Sequence, residues 1–299
     1  MELSVDKIAA VTAGNKPMHN SPQRFCVLVN SSDQARDVFE IVYRNSEAMW
    51  RDCIWPRFVG FTSQHPDRYG FKAVAANGTG GWREQLGAQL DSLPTDVEYV
   101  MRLDEDLLFL SPVDGAKLNA IAEEMLRADL VYVNLVPVSR SLLCSVLEFV
   151  RHRLSRRPLR LLSFSEPYYS ALTPTIWKRS YLRELLRQPG NVWEFEHIVT
   201  DRRHYAVWEP VLDFDALVSK GKWLPRAERQ LARQGLSLGG STREVQPPAS
   251  WLRGLRQRVV FALVGHWSLR LRKKFNRLPG VPKELGKDQF DSVRERPIQ

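Results

Sequence analysis

The chain has 299 residues, 43% hydrophobic and 26% charged, which fits a globular protein of one large or two small domains. Its three cysteines, Cys26, Cys53 and Cys144, lie far apart and form no CxxC pair, which argues against a zinc ribbon or a disulfide framework and favours a reducing setting. Of the net charge of +9, residues 251–299 alone carry +8, so a nearly neutral body is joined to a basic tail.

The amino-terminal residues 1–23 are polar and lack the apolar central run of a secretion signal. No stretch of the sequence approaches the ~18 consecutive apolar residues that span a bilayer. We therefore expect a flexible leader on a protein that stays in the cytoplasm.

Predicted strands and helices alternate along the first half of the chain. Hydrophobic periodicity and turn residues predict strands at residues 25–30, 57–63, 71–76, 98–103 and 130–136, and helices at 34–50, 82–93 and 113–128. This alternation predicts an α/β fold with a mainly parallel central sheet. In such sheets, ligands bind at the carboxyl ends of the strands.

The pattern is looser from residue 137 onward. A helix is predicted at residues 176–186, followed by an aromatic and acidic stretch around Trp193. We interpret this half as an elaboration of the same fold, so that residues 24–245 form one domain and residues 246–299 a basic amphipathic extension.

An acidic triplet follows the predicted strand 98–103 directly, in the sequence MRLDEDLLFL. Asp104 and Asp106 are separated by one residue, and Mg²⁺ or Mn²⁺ is typically held by one or two carboxylates together with substrate phosphates. The motif is short, and a solvated acidic turn is the alternative interpretation.

A glycine-rich turn at residues 77–81 precedes the predicted helix 82–93. Free backbone N–H groups at the start of a helix can face a phosphate, and Trp82 and Arg83 stand at that position. The spacing matches neither a P-loop nor a Rossmann fingerprint, so a plain turn is equally compatible with the sequence.

Three blocks in this order resemble a family of bacterial GT-A glycosyltransferases of surface-polysaccharide assembly. They are GWREQLGAQLDSLPTDVEYVMRLDEDLLFLSPVD, YYSALTPTIWKRSYLRELLRQPGNVWEFE and VSKGKWLPRAERQLARQGLSL, and the similarity extends over residues 24–238. The family often carries Asp-Asp at the centre of its motif, where this chain has Glu105 between two aspartates.

The resemblance implies a GT-A-like domain that uses a nucleotide-sugar donor, in particular a UDP-sugar. A divalent metal ion at Asp104 and Asp106 would hold the diphosphate, and Asn30, Ser31 and Asp33 would line the nucleotide. The acceptor implied is a cell-surface glycan or a lipid-linked saccharide.

Glycosyl transfer that inverts the anomeric carbon needs a carboxylate base. The resemblance points to the WEFE segment, where Glu194 and Glu196 are the candidates and Glu196 is preferred. The alternative is that Trp193 and Phe195 are core residues flanked by two solvated glutamates. A lone His197 or His204 is more typical of a packed or surface residue than of a metal ligand.

Aromatic and cationic side chains recur together in TIWKRSYL and SKGKWLP. Trp177 with Lys178, and Lys220 and Lys222 with Trp223, could stack on sugars or bind phosphate. Packing of the aromatic rings in the core is the commoner alternative.

The basic tail mixes Trp, Leu, Val and Phe with eight Arg and Lys side chains between residues 251 and 277. Such a segment is typical of a helix that lies on an anionic membrane, here the inner face of the cytoplasmic membrane. Packing against the body or another subunit is the alternative. Nucleic-acid binding is disfavoured, since no recognisable nucleic-acid fold accompanies the charge.

Two other functional classes compete with a metal-dependent glycosyltransferase. A haloacid-dehalogenase-type phosphatase also places a DxD after an apolar strand, but Leu107 and Leu108 follow the motif here and the motif lies late in the chain. The second alternative is a non-catalytic relative that binds a glycan or a partner, because a fold does not dictate its function.

Overall fold

The structure is a computed structural model that describes residues 21–63, 65–67, 69–75, 80–136, 159–164, 168–196 and 198–247. The leader residues 1–20, the turn residues 77–79, His197 and the basic segment 251–277 lie outside the described residues. Among the described residues, no helix is both long enough and apolar enough to cross a membrane.

An eight-stranded sheet forms the centre of the described fold, with strand order β3-β2-β1-β4-β8-β6-β9-β7. Neighbouring strands pair in parallel from β3 through β4 and again between β6 and β9, while β8 and β7 run against their neighbours. The strands are β1 Phe25–Asn30, β2 Arg57–Phe61, β3 Phe71–Ala75, β4 Tyr99–Asp104, β6 Tyr132–Asn134, β7 Leu159–Leu161, β8 Thr175–Lys178 and β9 Tyr205–Val207.

Two small two-stranded sheets and six α-helices complete the described elements. One small sheet pairs β5 (Leu107–Phe109) with β10 (Phe214–Ala216), and the other pairs β11 (Val218–Ser219) with β12 (Lys222–Trp223). The helices are α1 Arg36–Met49, α2 Trp82–Asp91, α3 Gly115–Arg127, α4 Arg179–Leu185, α5 Val192–Phe195 and α6 Ala227–Arg233.

The central sheet is buried on both faces, as the apolar run of β1 illustrates. Phe25, Val27 and Val29 pack in one hydrophobic cluster, whereas Cys26 and Leu28 pack in a second one. Since successive side chains of a strand point to opposite faces, the two clusters lie on the two sides of the sheet. Because β1 is buried on both faces, its sequence is continuously apolar rather than alternating.

The fold class predicted from the sequence, α/β with a mainly parallel central sheet, is confirmed. The predicted strand 25–30 coincides with β1, and the other strands and helices predicted in the first half form within a few residues of their expected bounds. The second half adds β7, β8 and β9 to the same sheet.

The prediction of one helix at residues 176–186 was wrong at its start. Thr175–Lys178 is the strand β8, inserted between β4 and β6, and only Arg179–Leu185 is helical. Thr175, Ile176 and Trp177 are β-branched or aromatic and fully buried, and such side chains suit a central strand. Leucines further along the segment gave the helical period that concealed the strand.

Candidate active site

The acidic triplet lies at the carboxyl end of β4, in the middle of the sheet. β1 and β4 are parallel and end together, with Asn30 opposite Asp104 in the register. After the turn at Glu105 and Asp106, the chain continues as β5, which pairs with β10. The triplet therefore lies at the carboxyl ends of the parallel strands, where α/β proteins bind their ligands, as the sequence predicted.

Asp104 is held by an arginine from its own strand. The Arg102 Nη2 atom lies 3.0 Å from Asp104 Oδ1, and the Arg102 side chain is only 7% exposed. Arg102 stands opposite Thr175 of β8, so it comes from the interior of the sheet. A buried cation thus neutralises one carboxylate of the triplet.

The other two acids of the triplet resist ionisation. Burial raises the pKa of Asp106 to about 6, and the charge of Asp104 contributes in the same direction. Burial and Asp104 likewise raise the pKa of Glu105 to about 8. The backbone N–H of Val218 donates to Asp106 Oδ2 over 3.3 Å and ties the turn to β11. The turn is therefore short of positive charge.

These carboxylates fit a hard divalent cation. Asp104 and Asp106 carry carboxylate oxygens on one turn, and burial, followed by the charge of Asp104, raises the pKa of Asp106, a cost that a bound cation would reduce. Within the described ranges, no three His, Cys, Asp or Glu side chains are arranged to bind a metal ion. Phosphate oxygens and water usually supply the remaining ligands of Mg²⁺.

Glu196 comes to the same place from a distant part of the sequence. Its backbone follows α5, and its Oε1 atom accepts the N–H of Leu172 over 3.4 Å. Burial raises the pKa of the Glu196 carboxyl; Asp104 contributes to the rise, while the Leu172 N–H and Arg102 oppose it. Glu196 therefore lies within electrostatic range of both Asp104 and Arg102.

Glu194 has a different environment, although it is only two residues away. Its Oε2 atom accepts the backbone N–H of Asn191, and the Asn191 side chain accepts the N–H of Glu194, both over 2.9 Å. This reciprocal pair is a capping box, which stabilises the start of α5. We therefore leave Glu194 out of the site that we propose.

Trp82 and Arg83 lie at the start of α2, where the sequence placed them. The Arg83 guanidinium donates to the carbonyls of Leu185, Pro189 and Gly190. It also lies over the Trp82 ring, with 4.8 Å between Cζ and the ring centroid. Phosphate binding by Arg83 remains a prediction that these hydrogen bonds do not favour, because the guanidinium already holds a loop.

Asp33 lies in the loop after β1 and links it to the loop after β2. Its Oδ1 atom accepts the N–H groups of Thr62 and Ser63 and lies 3.0 Å from His65 Nε2. Burial opposes ionisation, but hydrogen bonds, first from Ser63 and Thr62, outweigh it and lower the pKa of Asp33. Ser31 is buried and donates its N–H to Gly60. This loop borders the carboxyl ends of β1 and β2.

Lys222 lies on a hairpin beside the triplet. β11 and β12 are joined by Lys220 and Gly221, both with positive φ, and β11 contacts Asp106 through Val218. Lys222 Nζ forms an exposed ion pair with Glu244 over 2.5 Å. Its predicted role as a ligand of the nucleotide-sugar stays a prediction.

Three aromatic or histidine candidates from the sequence are core residues. Trp177 and Trp223 are at most 1% exposed, so neither ring can stack on a sugar, and Lys178 pairs with Asp129. His204 is fully buried, and its two ring nitrogens contact the Tyr169 carbonyl and the Tyr181 hydroxyl. Burial lowers the pKa of His204 to about 4, so it is a neutral packing residue.

Sequence reasoning missed Arg102. It is the one charged residue in the otherwise apolar stretch Tyr99–Leu103, two positions before Asp104. A charged side chain inside a strand that is buried on both faces is costly unless it is paired, which is a signal of function that the sequence does contain.

No protein-family profile matches the chain, and no curated protein matches it significantly in sequence. Among solved structures, 4-diphosphocytidyl-2C-methyl-D-erythritol synthase from Anaerococcus prevotii is similar, with a TM-score of 0.39 and 11% identity over 62% of this chain and 87% of that one.

Two structures of TarS from Staphylococcus aureus also match, each with a TM-score of 0.39. For residues 1–349 of TarS the identity is 9%, over 64% of this chain and 59% of that one. For the longer TarS chain it is 10%, over 67% of this chain and 37% of that one. Because all three TM-scores are below 0.5, we base the functional assignment on the geometry of the site itself.

Proposed function

We propose that the protein is a metal-dependent glycosyltransferase of the GT-A type, which transfers a sugar from a nucleotide-sugar, a UDP-sugar in particular, to a hydroxyl of a cell-surface glycan or lipid-linked acceptor. One observation carries the proposal: the Asp104-Glu105-Asp106 turn lies at the carboxyl end of β4, and Glu196 lies within electrostatic range of Asp104 and of the buried Arg102. The resemblance of the three sequence blocks supports the same reaction class.

Donor binding is assigned to the edge formed by β1 and β4. Asn30, Ser31 and Asp33 would line the nucleotide, and Asp104 and Asp106 would bind Mn²⁺ or Mg²⁺ together with the diphosphate. Such a cation stabilises the charge that develops on the departing diphosphate. The position of two carboxyl groups on one turn at the carboxyl end of β4 supports this assignment, since one or two carboxylates together with phosphate oxygens are the usual ligands of Mg²⁺.

Glu196 is the proposed base of a transfer that inverts the anomeric carbon. It would accept the proton of the acceptor hydroxyl as that oxygen attacks the donor sugar. A base works best when its pKa is near the working pH, and burial shifts the pKa of Glu196 upward, in that direction. The Leu172 N–H orients its carboxylate.

Peripheral binding to the inner face of the cytoplasmic membrane is a separate part of the proposal. It rests on the eight basic and several aromatic side chains of residues 251–277. Deletion of residues 251–299 should release the purified protein from liposomes that contain anionic lipid. Undiminished, salt-resistant binding after the deletion would contradict the electrostatic anchor.

A thermal-stability screen tests the donor class. The full chain is heated with UDP, GDP, CMP or dTDP, each with and without Mn²⁺, because a ligand at 100 times its Kd stabilises a protein by about 2.7 kcal/mol. A shift that needs both one nucleotide and Mn²⁺ would support the proposal. The absence of a shift with every nucleotide would favour a non-catalytic binding protein.

A further inference from the structure

Three buried polar atoms near Glu196 have no partner among the described residues. They are Nε and Nη1 of Arg102 and Oγ1 of Thr173. Buried polar groups are hydrogen-bonded in the large majority of cases, and an unsatisfied donor is costly. The atoms therefore indicate a polar ligand or water at this position.

The topology brings these atoms to the same edge of the sheet. Arg102 stands opposite Thr175 in the antiparallel pair of β4 and β8. Thr173 lies two residues before Thr175, on the side where β4 continues to Asp104. The neighbouring Leu172 donates its N–H to Glu196. Arg102, Thr173, Asp104 and Glu196 thus surround one small region.

The charges of this region favour a neutral ligand over a second anion. The Arg102 guanidinium pairs with Asp104, and the carboxyl groups of Glu105 and Glu196 lie within electrostatic range of it. Another phosphate or carboxylate would be repelled by these acids. A sugar hydroxyl suits the set, because its oxygen accepts from the arginine while its hydrogen donates to a carboxylate or to the threonine.

We propose that Arg102 and Thr173 form a sugar-hydroxyl subsite, in which the free N–H groups of Arg102 and the hydroxyl of Thr173 bind a hydroxyl of the transferred sugar or of the acceptor sugar. This inference rests on the proposed function and adds the residues that recognise the sugar itself. Arg102 has two tasks, since its Nη2 keeps Asp104 in place while Nε and Nη1 face the ligand.

The test separates the sugar from the nucleotide. In the presence of Mn²⁺, the affinities for UDP, UDP-glucose, UDP-galactose and UDP-N-acetylglucosamine are measured by calorimetry for the wild type, Arg102→Lys and Thr173→Val. The Thr173 variant keeps the shape of the side chain and should fold even where an Arg102 variant does not. Arg24→Met and Thr95→Val are matched controls at the opposite end of β4, where Arg24 pairs with Glu98.

If the subsite binds the donor sugar, both variants keep their affinity for UDP and bind the preferred UDP-sugar more weakly. Arg102→Lys loses about tenfold to a hundredfold, because a hydrogen bond to a charged group contributes about that factor. Thr173→Val loses about twofold to tenfold, because its hydrogen bond joins two neutral groups. The two controls bind both ligands like the wild type.

If it binds the acceptor, the variants bind every UDP-sugar normally. In that case free glucose, galactose or N-acetylglucosamine raises the melting temperature of the wild type further in the presence of UDP and Mn²⁺. The variants lack this additional increase. Either pattern supports the subsite and shows whether its ligand is the donor sugar or the acceptor sugar.

Equal losses for UDP and UDP-sugars would overturn the inference, since Arg102 would then serve only to position Asp104. Unchanged binding of all sugars would overturn it as well. Neither result affects the proposed function, which fails only if the wild type binds no nucleotide with Mn²⁺.

Discussion

Two acidic loops at the same edge of the sheet differ in how their charge is balanced. In the loop after β1, Asp33 accepts two backbone N–H groups and contacts His65, and its pKa is lowered. In the turn after β4, burial and mutual repulsion raise the pKa values of Glu105 and Asp106. Hydrogen bonds stabilise the carboxylate of the first loop, whereas the carboxyl groups of the second are buried without enough hydrogen bonds or cations to favour their charged forms.

This difference separates an acid whose charge the fold itself stabilises from acids whose charge it does not. Hydrogen bonds to a charged carboxylate stabilise the fold, and crowded carboxylates destabilise it until a cation arrives. Strongly raised pKa values in a cleft are typical of functional sites. Four variants test the contrast.

The largest effect is expected for Glu196→Gln. Loss of a general base typically slows a reaction by about a hundredfold to ten-thousandfold, while the amide should leave donor binding intact. Transfer by the wild type should increase as the pH rises through the pKa of Glu196, which lies above its ordinary value. Steady-state rates together with calorimetric donor affinities check both points.

Glu194→Gln is the matched control, because that carboxylate caps α5 and is not part of the proposed site. We expect its transfer rate to equal that of the wild type. Normal transfer by Glu196→Gln combined with a loss in Glu194→Gln would reverse the assignment of the base.

Asp106→Asn should weaken Mn²⁺-dependent nucleotide binding by at least about a hundredfold, since a carboxylate to a metal is replaced by a neutral amide. Binding is measured by titration of the nucleotide that the thermal screen identifies. Asp91→Asn, which disturbs only a surface ion pair with Arg183, should bind normally. Metal-dependent binding that survives in Asp106→Asn would remove this residue from the metal site.

Glu105→Gln should stabilise the metal-free protein at neutral pH. The folded pKa of about 8 is above the ordinary value of 4.5, so the stability that protonated Glu105 contributes is fully present below pH 4.5 and is lost as the pH rises through about 8. The glutamine variant avoids that loss, which is on the order of a few kcal/mol by pH 8. Urea unfolding at pH 5 and pH 8 in EDTA measures the difference, and equal stabilities at pH 8 would contradict it.

Asp33→Ala should have the smallest effect and the opposite sign. Removal of the acceptor for two N–H groups should destabilise the protein by about 1 kcal/mol at pH 7, since the partly exposed carboxylate is screened by solvent. The lowered pKa of Asp33 gives stability that is present above the ordinary value of 3.8 and is lost as the pH falls. The two proteins should therefore become equally stable in acid, and a difference that persists there would point to packing instead.

Much of the fold could be predicted from local patterns. The apolar runs of β1 and β4, and the helical spacing of α1, α2 and α3, are explicit in the sequence because each element obeys its own period. β8 could not be predicted, since its strand character comes from insertion between β4 and β6 and its neighbours continue as a helix. Tertiary pairing overrode the local period.

The residues of the candidate site likewise divide into those that the sequence indicates and those that only the structure identifies. Asp104 and Asp106 are visible as a motif, and Glu196 came from the family resemblance. Arg102 is visible in the sequence only as a charged residue in an apolar strand. Thr173 could not be connected to the motif, because the pairing of β4 with β8 joins positions about seventy residues apart. The sequence also could not separate Glu194 from Glu196, since only the capping box assigns Glu194 to the start of a helix.

The sequence by itself determined the α/β class, the parallel half of the sheet and the acidic triplet at the end of a strand, because periodicity and motifs are local properties. Only the tertiary structure decided which charges meet. Burial, the insertion of β8 beside β4 and the approach of Glu196 depend on contacts between remote segments, and pKa shifts follow from those contacts rather than from residue identity.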